Sequence, residues 1–288
     1  MRLALMILAA LIALAANSVL IRLAVVEYGA DPAAFGVVRV AAGAMALALL
    51  MWGSGRRWPP MATGRRLAGA GMLALYVAGF SLAYRTLDAG LGALLLFGAV
   101  QMTVFAVVVA RGEAVPPRRW IGAGIAFAGL LVLLWPGGTT GHVALRDALA
   151  MLVAGGAWGI YTLLGRGGAD PVPATAANFV LALPLVLPLW ALAGHGLSFP
   201  ALGLAVTSGA VTSGLGYVLF YSIVARIDAT LAGIAQLSVP VIATLGGLAL
   251  IGEPVTLRLV LAGAMVLGGI GFSIRRGGAQ RRIGSSGS

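Results

Sequence analysis

Apolar residues run almost unbroken through ten stretches of this chain, separated by short clusters of arginine, glycine, proline and aspartate. The stretches fall at 3–26, 32–52, 67–84, 90–110, 120–135, 148–165, 172–193, 201–224, 230–251 and 257–274. Each approaches the length of about 20 apolar residues that carries a helix across the hydrocarbon core of a bilayer. The pattern predicts an all-α membrane protein with ten transmembrane helices.

The polar punctuation repeats. Gly29-Ala30-Asp31-Pro32 returns as Gly168-Ala169-Asp170-Pro171, and Gly112-Glu113 returns as Gly252-Glu253. Asp88-Ala89, Phe80 and Gly129 recur as Asp228-Ala229, Phe220 and Gly269, all at a period of roughly 140 residues. Residues 1–136 and 147–276 therefore read as two repeats of five helices each. Arginines crowd alternate loops: Arg56, Arg57, Arg65 and Arg66, then Arg111, Arg118 and Arg119, then Arg166, then Arg226, then Arg275, Arg276, Arg281 and Arg282. The excess of positive charge on cytoplasmic loops places these loops, and with them both termini, in the cytoplasm, which requires an even number of spans. An odd number of helices per repeat makes the second repeat enter the membrane in the opposite sense, so the repeats are expected to be inverted. Inverted repeats that rock against each other around a midplane site give alternating access.

Composition agrees. The chain is 60% hydrophobic and 9% charged, with a mean hydropathy of +1.03, where a soluble domain has about a quarter of its residues charged. The net charge of +11 comes from arginine alone, mostly in loops, so it reports membrane orientation and no nucleic-acid partner is expected. The 43 glycines suit close approach of helices in lipid. The absence of cysteine excludes disulfides, thiolate metal sites and thiol catalysis. Met1-Arg2 followed by an apolar run through Ala13-Leu14-Ala15 has the form of a secretory signal. Against that, Leu14 to Arg22 lines up with Trp158 to Arg166, and removing the first span would break the repeat. Residues 283–288, ending Gly284-Ser285-Ser286-Gly287-Ser288, read as an artificial tail.

Four groups of residues together resemble the drug/metabolite transporter superfamily, in its ten-helix branch with two EamA-type repeats, and most of all its bacterial amino-acid exporters. They are Trp158-Gly159 followed by Arg166, Pro32 through Phe35 to Arg39, Gly216 through Leu219-Phe220-Tyr221, and the Gly-Glu pairs closing spans four and nine. Pro240 and Gly263 also fit the resemblance, which covers essentially the whole chain. It implies a multi-pass protein of the bacterial inner membrane, with spans one, three, four, six, eight and nine walling the cavity. Leu14 stands where the first repeat of the family often carries Trp, and Asn178 where Arg39 has its counterpart. The two halves are thus chemically unequal.

A polar side chain at the bilayer midplane must find a partner or line a wet cavity. Asn17, Gln101, Trp158, Tyr161, Tyr217, Gln236 and Ser238 lie within the wall-forming spans, and Tyr76 and Phe80 add aromatic surface. These are the candidate substrate-binding residues; Asn178, on span seven, ranks below them. The same groups can instead hydrogen-bond across helices, for less than about 2 kcal/mol each, or simply pack. Amide and aromatic groups without a strong charge suit a neutral or zwitterionic solute such as an amino acid. Arg39 lies eight residues into span two. It either bonds helix-end carbonyls or a carboxylate such as Asp31, or it belongs to an extracellular gate or attracts a carboxylate. Pro240, close to Gln236 and Ser238, is a candidate gating hinge, because interior proline bends a helix.

All eight acids, Glu27, Asp31, Asp88, Glu113, Asp147, Asp170, Asp228 and Glu253, lie near span ends. Asp88 and Asp228 are placed to cap the helices they open. Glu113 and Glu253, at the unfavourable end of the helix dipole, are expected to pair with arginine or cap the next helix. His142 and His195 fall in loops. No carboxylate or histidine is thus positioned mid-membrane as a proton relay, which points to facilitative export of small metabolites, most of all amino acids including aromatic ones. An enzyme would need a nucleophile, paired carboxylates or a metal cluster near one face, and the chain supplies none; no cofactor or metal is expected. The alternative is a multidrug or amphipathic-lipid exporter of the same fold, since an aromatic cavity also takes greasy molecules. Nucleotide-sugar exchange would need converging cations for a diphosphate. The expected partners are a small-molecule substrate and the bilayer, around a monomer.

Overall fold

A computed structural model describes residues 2–112, 115–135, 144–165, 170–224, 226 and 235–274. Among them the chain is helical throughout, with no strand. The helices are α1 (Arg2–Tyr28), α2 (Pro32–Gly53), α3 (Gly64–Ala83), α4 (Ala89–Ala110), α5 (Pro117–Leu134), α6 (Leu145–Gly165) and α7 (Pro171–Val186), which tightens into a 3-10 turn over Leu187–Leu192. The eighth span is composite: α8 (Phe199–Thr207), a π-helix over Ser208–Leu215 and α9 (Gly216–Val224). α10 (Ser238–Ile251) and α11 (Leu257–Ile274) follow. Eight of these segments are long and apolar enough to cross a membrane, and α10 and α11 are shorter apolar helices, giving the ten expected.

The repeated motifs do the same local work in both halves. Asp31 Oδ1 accepts from the Ala33 and Ala34 N–H groups, and Asp170 Oδ1 accepts from Val172 N–H. Pro32 and Pro171 follow at the first helical position, where a missing N–H costs nothing. Gly112 and Gly252 both have positive φ, 69° and 74°, the left-handed conformation that closes a helix. Two expectations need correction. Asp88 occupies the N-cap position of α4 without a capping bond, because Arg22 draws its carboxylate away. The free Ala89 N–H donates to Glu253 Oε2 instead, at 2.8 Å. Glu253 therefore caps α4, far back in the chain, and pairs with Arg22. Pro240 falls in the first turn of α10, where its missing N–H is harmless, and the helical path is interrupted just before it, at Leu237. Glu113, His142, Arg166, Asp228 and the 283–288 tail lie outside the described residues.

Large apolar side chains such as Leu5, Leu49, Phe127, Leu149 and Leu250 face outward, the arrangement that lipid, not water, stabilises. Trp52, Trp58, Trp120, Trp135 and Trp190 are exposed near segment ends, as in an interfacial belt. Trp158 alone of the six tryptophans is buried, at 2% exposure, so its role is internal. Inside, α3 packs on α6 and α7, α4 on α6 and α10, α2 on α7 and the π-helix, α1 on α10 and α9, and α5 on α11. Glycine permits the close crossings: a Cβ on Gly79 would stand 2.5 Å from Ala150 O, and one on Gly155 2.6 Å from Leu96 O.

Candidate functional site

The π-helix creates the centre of the bundle. Residues 207–214 read Thr-Ser-Gly-Ala-Val-Thr-Ser-Gly, and Ser208, Thr212 and Ser213 all donate to one acceptor, Asn17 Oδ1 on α1, at 2.8–2.9 Å. In an α-helix these three hydroxyls would not converge so closely on one atom; the wider turn brings them together, as π-segments often do at functional sites. Asn17 Nδ2 donates in turn to Ala13 O and Thr212 O, at 3.1 and 3.4 Å.

Ser213 also receives Arg39. This side chain is fully buried. Its Nε donates to Ser213 Oγ at 2.8 Å, and Nη2 donates to the hydroxyls of Tyr217 and Tyr76 at 2.8 and 3.0 Å. The guanidinium lies 4.8 Å from the Phe80 ring centre and 5.4 Å from that of Tyr76, within cation–π range. Tyr76 and Phe80 share a face of α3 at i, i+4, and Trp158 and Tyr161 share one of α6 at i, i+3. The Trp158 ring stands 4.7 Å from Tyr217, 4.9 Å from Tyr76 and 5.4 Å from Tyr161. Tyr76, Phe80 and Tyr217 thus surround the cation directly, and Trp158 and Tyr161 extend this aromatic cluster away from it. Neither helix-end carbonyls nor Asp31 bond Arg39, contrary to one sequence expectation; Asp31 is spent on capping α2 and on the Gly194 N–H.

The other sequence candidates sit apart. Gln101 is half-buried on α4 and makes no hydrogen bond to the cluster. Gln236 lines a separate small apolar cavity of about 20 Å³ with Ile7, Leu11 and Phe220, and Ser238 is exposed at the start of α10. Asn178, ranked low from sequence, donates to Tyr161 Oη at 3.2 Å and accepts from Arg66 Nη1 at 3.2 Å. These three residues and Arg65 border a cavity of about 130 Å³ at one end of the bundle. Sequence reading missed Ser208, Thr212 and Ser213, although the doubled Thr-Ser-Gly was their signal.

At the opposite end Arg22 bridges Glu253 and Asp88, with N···O distances of 2.8 and 3.2 Å. Burial pushes the Glu253 carboxyl above the usual glutamate range, opposed by the bonds from Arg22 and Ala89 N–H, with the Asp88 charge adding to the rise. The central cluster therefore lies between an ionic tie at one end and an Arg–Asn–Tyr chain at the other.

An apolar multi-helix bundle around a buried aromatic, hydroxyl and guanidinium cluster has the build of a membrane transporter. Residues 146–275 match the model of the EamA-like transporter family. The chain is 45% identical over 277 residues to "Uncharacterized protein PA1977" of Pseudomonas aeruginosa, covering 94% of this chain and 95% of that one. It is 32% identical over 165 residues to the threonine/homoserine exporter RhtA of Escherichia coli, and that match spans only 55% of each chain. An uncharacterized transporter of Archaeoglobus fulgidus is 27% identical over 169 residues, 57% of this chain and 60% of its own. A solved crystal structure at 18% identity superposes with a TM-score of 0.65, over 92% of this chain and 97% of the other, and shares the fold. The chain belongs to the EamA-like transporter family, within the drug/metabolite transporter superfamily.

Proposed function

We propose that this chain exports small neutral or zwitterionic metabolites, amino acids including aromatic ones, across the bacterial inner membrane. The observation that carries this reading is the aromatic cluster of Trp158, Tyr76, Tyr161, Tyr217 and Phe80, which meets the Arg39 guanidinium through Tyr76, Tyr217 and Phe80. Aromatic faces hold an apolar side chain, while the donors fix a polar head. The likeness to an exporter of threonine and homoserine supports the same solute class.

Transport proceeds by alternating access of the inverted repeats 1–136 and 147–276, with both termini cytoplasmic and the monomer as the working unit. The Arg22–Glu253–Asp88 tie closes one end and the Arg66–Asn178–Tyr161 chain the other, so release of one at a time exposes the centre to one side. Arg39 gates the middle by holding Tyr76 and Tyr217 together, and the break before Pro240 supplies a hinge. Asn17 supports the donors through Ser213. Among the described residues no carboxylate touches the central cluster, which favours flux down the solute's own gradient.

The test is efflux from cells expressing the chain after loading with labelled amino acids as dipeptides. Faster loss of label than from cells expressing Trp158→Ala is expected. Equal rates, with selective resistance to amphipathic drugs, would replace the amino-acid reading with a drug exporter.

A further inference from the structure

Arg39 is a permanent cation with 0% exposure, in the interior of a bundle where an uncompensated charge is costly. Every described acid is engaged or placed elsewhere. Asp31 and Asp170 cap α2 and α7, Asp88 and Glu253 hold Arg22, Asp147 takes Thr86 and Arg146, and Glu27 is exposed at the end of α1. The three bonds that Arg39 makes go to neutral hydroxyls. They use the Nε proton and both Nη2 protons, and Nη1 is buried without a partner, so two of the five guanidinium N–H groups have no acceptor. Tyr76 accepts from both Arg39 and Tyr217, which leaves its own hydroxyl proton to donate beside them.

We infer that Arg39 is the anchor for a substrate carboxylate, which supplies the counter-charge that none of the described acids provides. The inference rests on the exporter reading above and narrows it: the solute must carry a carboxylate, and the site rejects purely cationic amines. A carboxylate is planar and accepts two parallel bonds from a guanidinium edge, so it satisfies Nη1 directly and competes with the tyrosine hydroxyls for Nη2. Release of Tyr76 and Tyr217 from Arg39 then loosens α3 and α9 from α2, so loading and opening share one set of bonds. A lysine would keep the charge and lose the planar fork.

The test uses the purified full chain in detergent, with thermal stability as the readout, because a ligand that binds the folded state raises the melting temperature by mass action. The probes are L-phenylalanine, L-phenylalaninamide, which is cationic, and 3-phenylpropionate, which is anionic and lacks the amine, with threonine and threoninamide as a second pair. Both carboxylate-bearing phenyl compounds and threonine are expected to raise the wild-type melting temperature, and the amides are not. Arg39→Gln is expected to weaken the response to the acids by about tenfold or more, the size of one lost charge-assisted contact, and Arg39→Lys to retain part of it. Equal responses to acid and amide in the wild type, acid responses unchanged in Arg39→Gln, or no response to any acid would each overturn the inference. Efflux separates the two levels. Flux of acid and amide alike removes the anchor and leaves the exporter, whereas absence of all amino-acid flux removes the exporter reading.

Discussion

Arg22 Nε donates to Glu253 Oε1 over 2.8 Å, a bond between residues 231 positions apart that ties the first helix to the loop between α10 and α11. The same guanidinium holds Asp88, so one cation stands between two carboxylates. Arg22→Gln leaves both carboxylates uncompensated in a site where Arg22 is only 15% exposed and Glu253 9%. It is expected to cost about 3 kcal/mol at neutral pH, read as a fall in melting temperature in detergent. Adding Glu253→Gln should recover part of that loss; a double variant no more stable than Arg22→Gln would show that the tie carries little energy.

The Glu253 carboxyl also sets a pH dependence. Its folded-state pKa lies above the ordinary glutamate range, chiefly through burial. The folded chain therefore takes up this proton more readily than the unfolded one. The group favours the fold below its unfolded pKa of about 4.3 and loses that contribution as pH rises through the raised value. Relative to Glu253→Gln, the wild type should gain stability as pH falls from about 7 to about 4. A relative loss over that window would mean that the charged pair with Arg22 outweighs burial.

Asn17 Oδ1 collects three hydroxyl bonds from the π-helix. Asn17→Leu leaves Ser208 and Ser213 short of an acceptor in an apolar interior, whereas the one Thr212 hydroxyl proton has Ser208 O, at 3.0 Å, to turn to. The expected loss is about 1–3 kcal/mol, together with a raised KM for transport, because Ser213 positions Arg39. Unchanged stability and KM would remove Asn17 from the site's support.

Gly209 packs its backbone on Arg39 O so closely that a Cβ there would overlap the carbonyl, whereas Gly203 has open space at its Cβ position. Gly209→Ala should destabilise by about 1–3 kcal/mol or more, since backbone on both sides must move. Gly203→Ala should be neutral or stabilising by up to about 1 kcal/mol through helix propensity. The difference between the two melting temperatures checks the contact between α2 and the π-helix.

The helices were legible because a bilayer demands long apolar runs, and the Asp-Pro and Gly-Glu repeats were legible because capping is local. Tyr76 with Phe80, and Trp158 with Tyr161, could be paired from helical spacing alone. The partners of Arg39 could not, since they come from α3, from α9 and from a π-segment whose wider turn goes with bonds to Asn17, far away in sequence. Glu253 capping α4 in place of Asp88 is likewise a tertiary substitution that no local pattern reports. Gln101, Gln236 and Ser238 satisfied the rule that mid-span polar residues attract attention. Which way such a residue faces depends on how its helix is rotated about its own axis. The apolar residues of α4 and α10 run around the whole circumference, so neither sequence marks an inner face.

The most direct measurement is exchange of labelled aromatic and aliphatic amino acids in proteoliposomes containing the purified chain, with and without an imposed pH gradient, for wild type and Trp158→Ala. Wild-type flux that is independent of the gradient and falls at least about tenfold in Trp158→Ala, the scale of a lost central aromatic contact, is the predicted result. No amino-acid flux, flux that needs the pH gradient, or flux indifferent to Trp158 would contradict a facilitative exporter with its site at this aromatic centre.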